Sequence, residues 1–222
     1  IVNLFVMMLL ISASSQAQDW ANLKRFQSEN QKLAESPASN KRVVFMGNSI
    51  TEAWIDMHPD FFKNNDFVNR GISGQTTPQM LIRFRADVIN LKPKVVVILA
   101  GINDIAGNTG PSTLEMIEDN IASMAVLAKG AGIKVVLSSV LPANTFTWAP
   151  DKEPADKVIA LNEWIKKYAK DNGHVYLDYF SAMVDDKKGL PKSLSGDGVH
   201  PNEAGYLIME PLVLKAIARA RK

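Results

Sequence analysis

Ser49 follows an apolar run, Val43-Val44-Phe45-Met46, that stops at Gly47 and Asn48. A hydroxyl there, just ahead of Ile50-Thr51-Glu52-Ala53-Trp54, stands at the start of a helix, where backbone N–H groups point outward. It is either a helix cap or a nucleophile set among donors. The second reading needs a base, and Asp197-Gly198-Val199-His200-Pro201 offers one. An aspartate three residues before a histidine, in a glycine-containing turn held by a proline, can set its carboxylate against imidazole Nδ1 and leave Nε2 free. The histidine then takes the serine proton and the aspartate fixes its tautomer, as in nucleophilic acyl transfer. Taken alone, the segment also reads as a surface Asx-turn with a bystander histidine. His58, in Asp56-Met57-His58-Pro59, and His174, beside Gly173, have no aspartate at a comparable offset in such a turn.

Other chemistries find little support. Three scattered histidines, no cysteine and no His-Glu-x-x-His pattern make a metal site a poor alternative. No serine lies in Gly-x-Ser-x-Gly, and no Gly-x-x-x-x-Gly-Lys-Ser/Thr loop exists, so neither an α/β-hydrolase elbow nor a P-loop is present. No cofactor is expected.

The elements that must carry these residues are legible as short apolar runs separated by longer amphipathic stretches. That alternation predicts an α/β fold, a parallel sheet covered by helices on both faces. Strands are expected over 42–46, 66–69, 94–100, 133–140 and 174–178, and helices over 20–34, 78–91, 112–129, 157–172 and 203–219. Val95-Val96-Val97-Ile98-Leu99 has the unbroken apolar character of a central strand. In such sheets ligands bind beyond the carboxyl ends of the strands. There stand Gly47-Asn48-Ser49, then Asn69-Arg70-Gly71-Ile72-Ser73-Gly74, then Gly101-Ile102-Asn103-Asp104.

The 222 residues, 46% hydrophobic and 22% charged, suit one core, and 18–222 is expected to be a single domain. With a net charge of +2 and cations clustered only at Lys215, Arg219, Arg221 and Lys222, nucleic acid is not an expected partner. Residues 1–17 read as a signal peptide truncated at its start: an apolar run to Ile11, then small residues that suit cleavage after Ala17. The run is too short for a stable membrane anchor, so export to the periplasm or beyond is expected. Without cysteines, the exported fold must rest on its core.

Four blocks, Gly47-Asn48-Ser49-Ile50, Gly71-Ile72-Ser73-Gly74, Gly101-Ile102-Asn103-Asp104 and Asp197-Gly198-Val199-His200-Pro201-Asn202, together resemble those of the SGNH hydrolases, the GDSL esterase/lipase family. Ser49-Ile50-Thr51 with Trp54 is similar to the branch holding platelet-activating-factor acetylhydrolase-like enzymes and carbohydrate acetylesterases. The resemblance implies a three-layer α/β/α sandwich with a five-stranded, flavodoxin-like parallel sheet. It implies Ser49 as nucleophile, His200 as base and then acid, Asp197 as its orienter, and an oxyanion hole from the Ser49 and Gly74 N–H groups and the Asn103 amide. Read singly, Gly74 is a turn glycine and Asn103 an Asx cap. The family usually has aspartate where this chain has Asn48, so a carboxylate has become a neutral amide. The function implied is an exported serine esterase removing short acyl groups, acetyl first, from carbohydrates or similar polar alcohols. Asn48, Trp54, Phe146 and Trp148 are candidates to touch that substrate, the three aromatics being equally readable as local core. A lysophospholipase or thioesterase is the alternative within the family, and a flavodoxin-like phosphate- or carbohydrate-binding protein the alternative outside it.

Overall fold

The computed structural model describes residues 19–36, 39 and 41–222, and the leader expected over 1–17 lies outside them. In chain order the elements are α1 (Gln27–Glu35), β1 (Val43–Gly47), α2 (Ser49–Met57), α3 (Pro59–Lys63), β2 (Phe67–Gly71), α4 (Thr77–Asp87), β3 (Val95–Leu99), α5 (Ile102–Ala106), α6 (Leu114–Gly130), β4 (Lys134–Ser138), α7 (Ala155–Asn172), β5 (Val175–Leu177), α8 (Phe180–Met183) and α9 (Glu203–Ala220). The five strands form one parallel sheet in the order β2-β1-β3-β4-β5. β1, β2 and β3 are buried at every position, as continuous apolar runs covered on both faces must be.

Helices α4, α6 and α7 pack side by side on one face. On the other, α9 lies over β4 and β5, and α2 over β1 and β2. These two helices are joined where Trp54 of α2 stacks on Tyr206 of α9, with centroids 5.3 Å apart, and Tyr206 Oη donates to Ile50 O at 2.7 Å. This is the three-layer α/β/α arrangement. The helix expected over 20–34 is shorter, because the backbone at Asn22 turns left-handed at φ 56 and only Gln27–Glu35 is helical. The helix expected over 78–91 likewise breaks at Val88, and a single 3₁₀ turn, Ile89–Leu91, follows.

Two glycines let the sheet and α2 meet closely enough to build the site. A Cβ on Gly47 would lie 2.0 Å from Thr51 Oγ1, and one on Gly71 would lie 2.1 Å from the Glu52 backbone nitrogen. Only glycine permits that approach.

Candidate active site

The first turn of α2 begins at Ser49, capped by Asn48, whose side chain accepts from the Ile50 N–H at 3.1 Å. Ser49 therefore sits where helical N–H groups lack intrahelical partners. Its Oγ is 2.8 Å from His200 Nε2, although 151 residues separate the two in sequence. His200 Nδ1 is 2.6 Å from Asp197 Oδ2. With the proton on Nδ1 donated to the carboxylate, Nε2 is left to accept the serine hydroxyl.

The turn that holds Asp197 and His200 is built from its own polar groups. Asp197 Oδ1 accepts from the Val199 and His200 N–H groups at 2.9 and 2.8 Å and from Ser195 Oγ at 3.2 Å. Ser195 Oγ accepts in turn from the Gly198 N–H at 2.9 Å, with Gly198 at φ 82. Asn202 then caps α9 by accepting from the Gly205 N–H at 3.1 Å. Burial alone would raise the Asp197 pKa, but the His200 N–H, the imidazole and the Val199 N–H outweigh it and hold the carboxyl at about 2. The Asp197 carboxyl is thus an anion from mildly acidic pH upward. Ser195, two residues before Asp197, is a contact of this turn that the motif did not single out.

Strand pairing brings the remaining blocks to the same sheet edge. Gly47 pairs with Gly71 and with Leu99, so Ser49, Gly74 and Asn103 follow the ends of three adjacent strands by a few residues each. Gly74 has φ 75, a conformation glycine adopts freely. Asn103 is buried, and its Nδ2 donates one hydrogen to Gln75 O at 3.0 Å, leaving the second amide hydrogen for another acceptor. Beside it Asp104 accepts from the Thr77 hydroxyl at 2.6 Å and the Thr77 N–H at 3.0 and 3.1 Å, tying the end of β3 to the start of α4.

Of the side chains expected to touch substrate, three are elsewhere. Asn48 is 0% exposed and spent on capping. Trp54 is 1% exposed, packed among Phe45, Phe61, Phe62 and Tyr206, because α2 turns that face to the sheet. Phe146 is also fully buried. Trp148, 45% exposed, stacks on Phe146 with centroids 5.1 Å apart and lies 6.2 Å from the His200 ring. A cavity of about 500 Å³ opens nearby, with Asn144, Thr145 and Thr147 on one wall and Asp197 and Gly198 on another. Among the described residues, no group of three or more His, Cys, Asp or Glu side chains is disposed to hold a metal, and no helix is long and apolar enough to cross a membrane.

Comparison with known proteins shows the family to which the chain belongs. The model of the GDSL-like Lipase/Acylhydrolase family matches residues 45–208. An acetylxylan esterase of Geobacillus stearothermophilus is 27% identical over 159 residues, 68% of this chain and 71% of that protein. Esterase TesA of Pseudomonas aeruginosa is 31% identical over 186 residues, 76% of this chain and 84% of that protein. Two further curated relatives are matched over less of their lengths, one over 41% of this chain and 39% of that protein, the other over 79% of this chain and 43% of that protein. Among solved structures, a GDSL-like lipase from Bacteroides thetaiotaomicron VPI-5482 is 51% identical and has a TM-score of 0.87, over 90% of this chain and 98% of that one.

Proposed function

Because the chain belongs to the GDSL-like lipase/acylhydrolase family and is a carboxylic ester hydrolase of the SGNH type, we propose that it works as a serine esterase through Ser49, His200 and Asp197 and takes short acyl, chiefly acetyl, esters of carbohydrates or similar polar alcohols. The observation that carries the mechanism is the continuous relay, 2.8 Å from Ser49 Oγ to His200 Nε2 and 2.6 Å from His200 Nδ1 to Asp197.

Ser49 Oγ attacks the ester carbonyl as His200 takes its proton, giving a tetrahedral oxyanion. The Ser49 and Gly74 N–H groups and the free hydrogen of the Asn103 amide are the donors assigned to that oxyanion. Collapse expels the alcohol, protonated by the imidazolium. Water, deprotonated by His200, then attacks the acyl-enzyme and releases the acid. No step calls on a cofactor.

For the substrate, support comes from the acetylxylan esterase relative, from Trp148 offering an exposed ring beside His200, and from the polar walls of the adjoining cavity. Burying each further acyl methylene in an apolar groove would contribute about 0.8 kcal/mol. Leu190 is the single large apolar side chain that lines the cavity, too little to sheath a long acyl chain. The apolar run of residues 1–11 supports export, which N-terminal sequencing of the mature protein tests by the presence or absence of a cut after Ala17.

Two measurements test the catalytic reading. Ser49→Ala should abolish labelling by a fluorophosphonate probe and lower turnover by roughly 10³-fold or more, with the fold unchanged. Across nitrophenyl esters from acetate to decanoate, kcat/KM should fall beyond butyrate, whereas a rise towards decanoate would point to the lysophospholipase or thioesterase alternative.

A further inference from the structure

Arg83 is fully buried on α4, and its guanidinium bonds to four separate acceptors. Nη2 donates to Gly47 O at 3.0 Å and to Arg70 O at 2.9 Å, carbonyls at the carboxyl ends of β1 and β2. Nε donates to Gln75 Oε1 at 2.6 Å, and Nη1 pairs with Asp87 one helical turn on, at 2.8 Å. Both loop contacts lead to the site. Gly47 precedes Ser49 by two residues, while Gln75 follows Gly74 directly and uses its backbone carbonyl to hold the Asn103 amide. Gln75 Nε2 also donates to Ala21 O at 2.8 Å, so the segment ahead of α1 is tied to the same loop.

Arg83 is the cation that pairs the buried Asp87 carboxylate, and that structural role would be kept by any cation able to reach it. What the planar fork adds is a fixed geometry among acceptors drawn from different loops. We infer that Arg83 is a positioning residue for ester hydrolysis, fixing the Ser49 turn through Gly47 O and the Gly74–Asn103 loop through Gln75, so that oxyanion donors and nucleophile stand in register before substrate arrives. The inference rests on the catalytic reading of Ser49, Gly74 and Asn103. Donors of this kind act because they need not reorganise as charge develops, and a displacement of about 1 Å can cost on the order of 10²-fold.

Arg83→Lys is the informative substitution, since lysine keeps the charge facing Asp87 but a single ammonium cannot reproduce the fork. In protein shown by circular dichroism to be folded at the assay temperature, kcat on nitrophenyl acetate should fall roughly 10- to 100-fold while KM stays within about threefold. Affinity for a short alkylboronic acid, whose boron takes the Ser49 oxygen to form a tetrahedral anion as the proton passes to His200, should fall in step with kcat. Added to Asn103→Ala, the same change should cost much less than it does alone, because both act on one set of donors. Wild-type kcat and boronate affinity in folded Arg83→Lys, or losses that multiply fully in the double variant, would overturn the inference. If Arg83→Lys does not fold, Gln75→Met, which leaves the Arg83–Asp87 pair intact, is judged by the same criteria. Ser49→Ala separates the two readings. Labelling of that variant at wild-type level defeats the catalytic reading, whereas its loss alongside unchanged Arg83→Lys kinetics defeats the positioning role alone.

Discussion

At Asn48 a neutral amide caps α2 with its oxygen, while among the described residues its Nδ2 is buried without a hydrogen-bond partner. An aspartate would keep the capping acceptor, remove the orphaned donor and place an anion at a helix N-terminus, where the macrodipole favours it. It would also bring a negative charge to the residue next to Ser49, whose Oγ is 2.8 Å from the imidazole. A nearby anion favours the imidazolium, which cannot act as base. The acid limb of kcat/KM should therefore move to higher pH in Asn48→Asp with the maximum little changed, and pH profiles on a nitrophenyl ester measure it. An unmoved limb would show that a charge at position 48 does not act on His200.

The five strands were legible because a buried parallel strand writes itself as a continuous apolar run, and each expected run overlaps an observed one to within a few residues. The long helices α6, α7 and α9 were legible from their amphipathic length. The short ones, α3, α5 and α8, were not, since four or five residues carry no periodicity. Of the candidate site, Asp197 and His200 could be read because their three-residue spacing reflects one local turn, and Ser49 because it follows the end of an apolar run. The fates of Trp54 and Phe146 could not, since which face an aromatic presents is decided by the neighbours it packs on. Arg83 was invisible for the same reason: its partners come from three other segments. The glycines follow this division between local and remote causes. Gly71→Ala would drive a methyl group into the α2 backbone, with Glu52 N at 2.1 Å and Thr51 C at 2.7 Å, and should cost roughly 3 kcal/mol or more. Gly74→Ala meets open space and is opposed only by its φ of 75, so about 1 kcal/mol is expected. Urea denaturation of the two variants should rank them in that order, and equal losses would contradict the close crossing of β2 and α2.

Over the whole molecule, two carboxyls make stability depend on pH in opposite directions. Burial pushes Asp104 up to about 6 from its ordinary 3.8, despite the bonds from Thr77, so the folded state binds a proton that the unfolded chain has released. That contribution is complete below pH 3.8 and is lost as pH rises through about 6. Asp197, held at about 2, contributes above its ordinary 3.8 and loses that contribution as pH falls through about 2. For these two groups together, stability should peak near pH 4 and decline towards neutrality, and Asp104→Asn should flatten the decline between about 4 and 6 in urea titrations. A slope unchanged in Asp104→Asn would assign it to another group. The 151 residues between Ser49 and His200 also make the proposed catalytic pairing a non-local contact. All five strands are complete by Leu177, so a growing or refolding chain can assemble its sheet while the serine remains inert. Bringing His200 to Ser49 depends on the segment that enters α9, which docks on α2 through Tyr206 and Ile50, a non-local closure of the kind that is intrinsically slow. A chain folded only as far as its sheet would lack the base beside Ser49, so on the proposed mechanism hydrolysis would begin only once the start of α9 has docked on the first turn of α2.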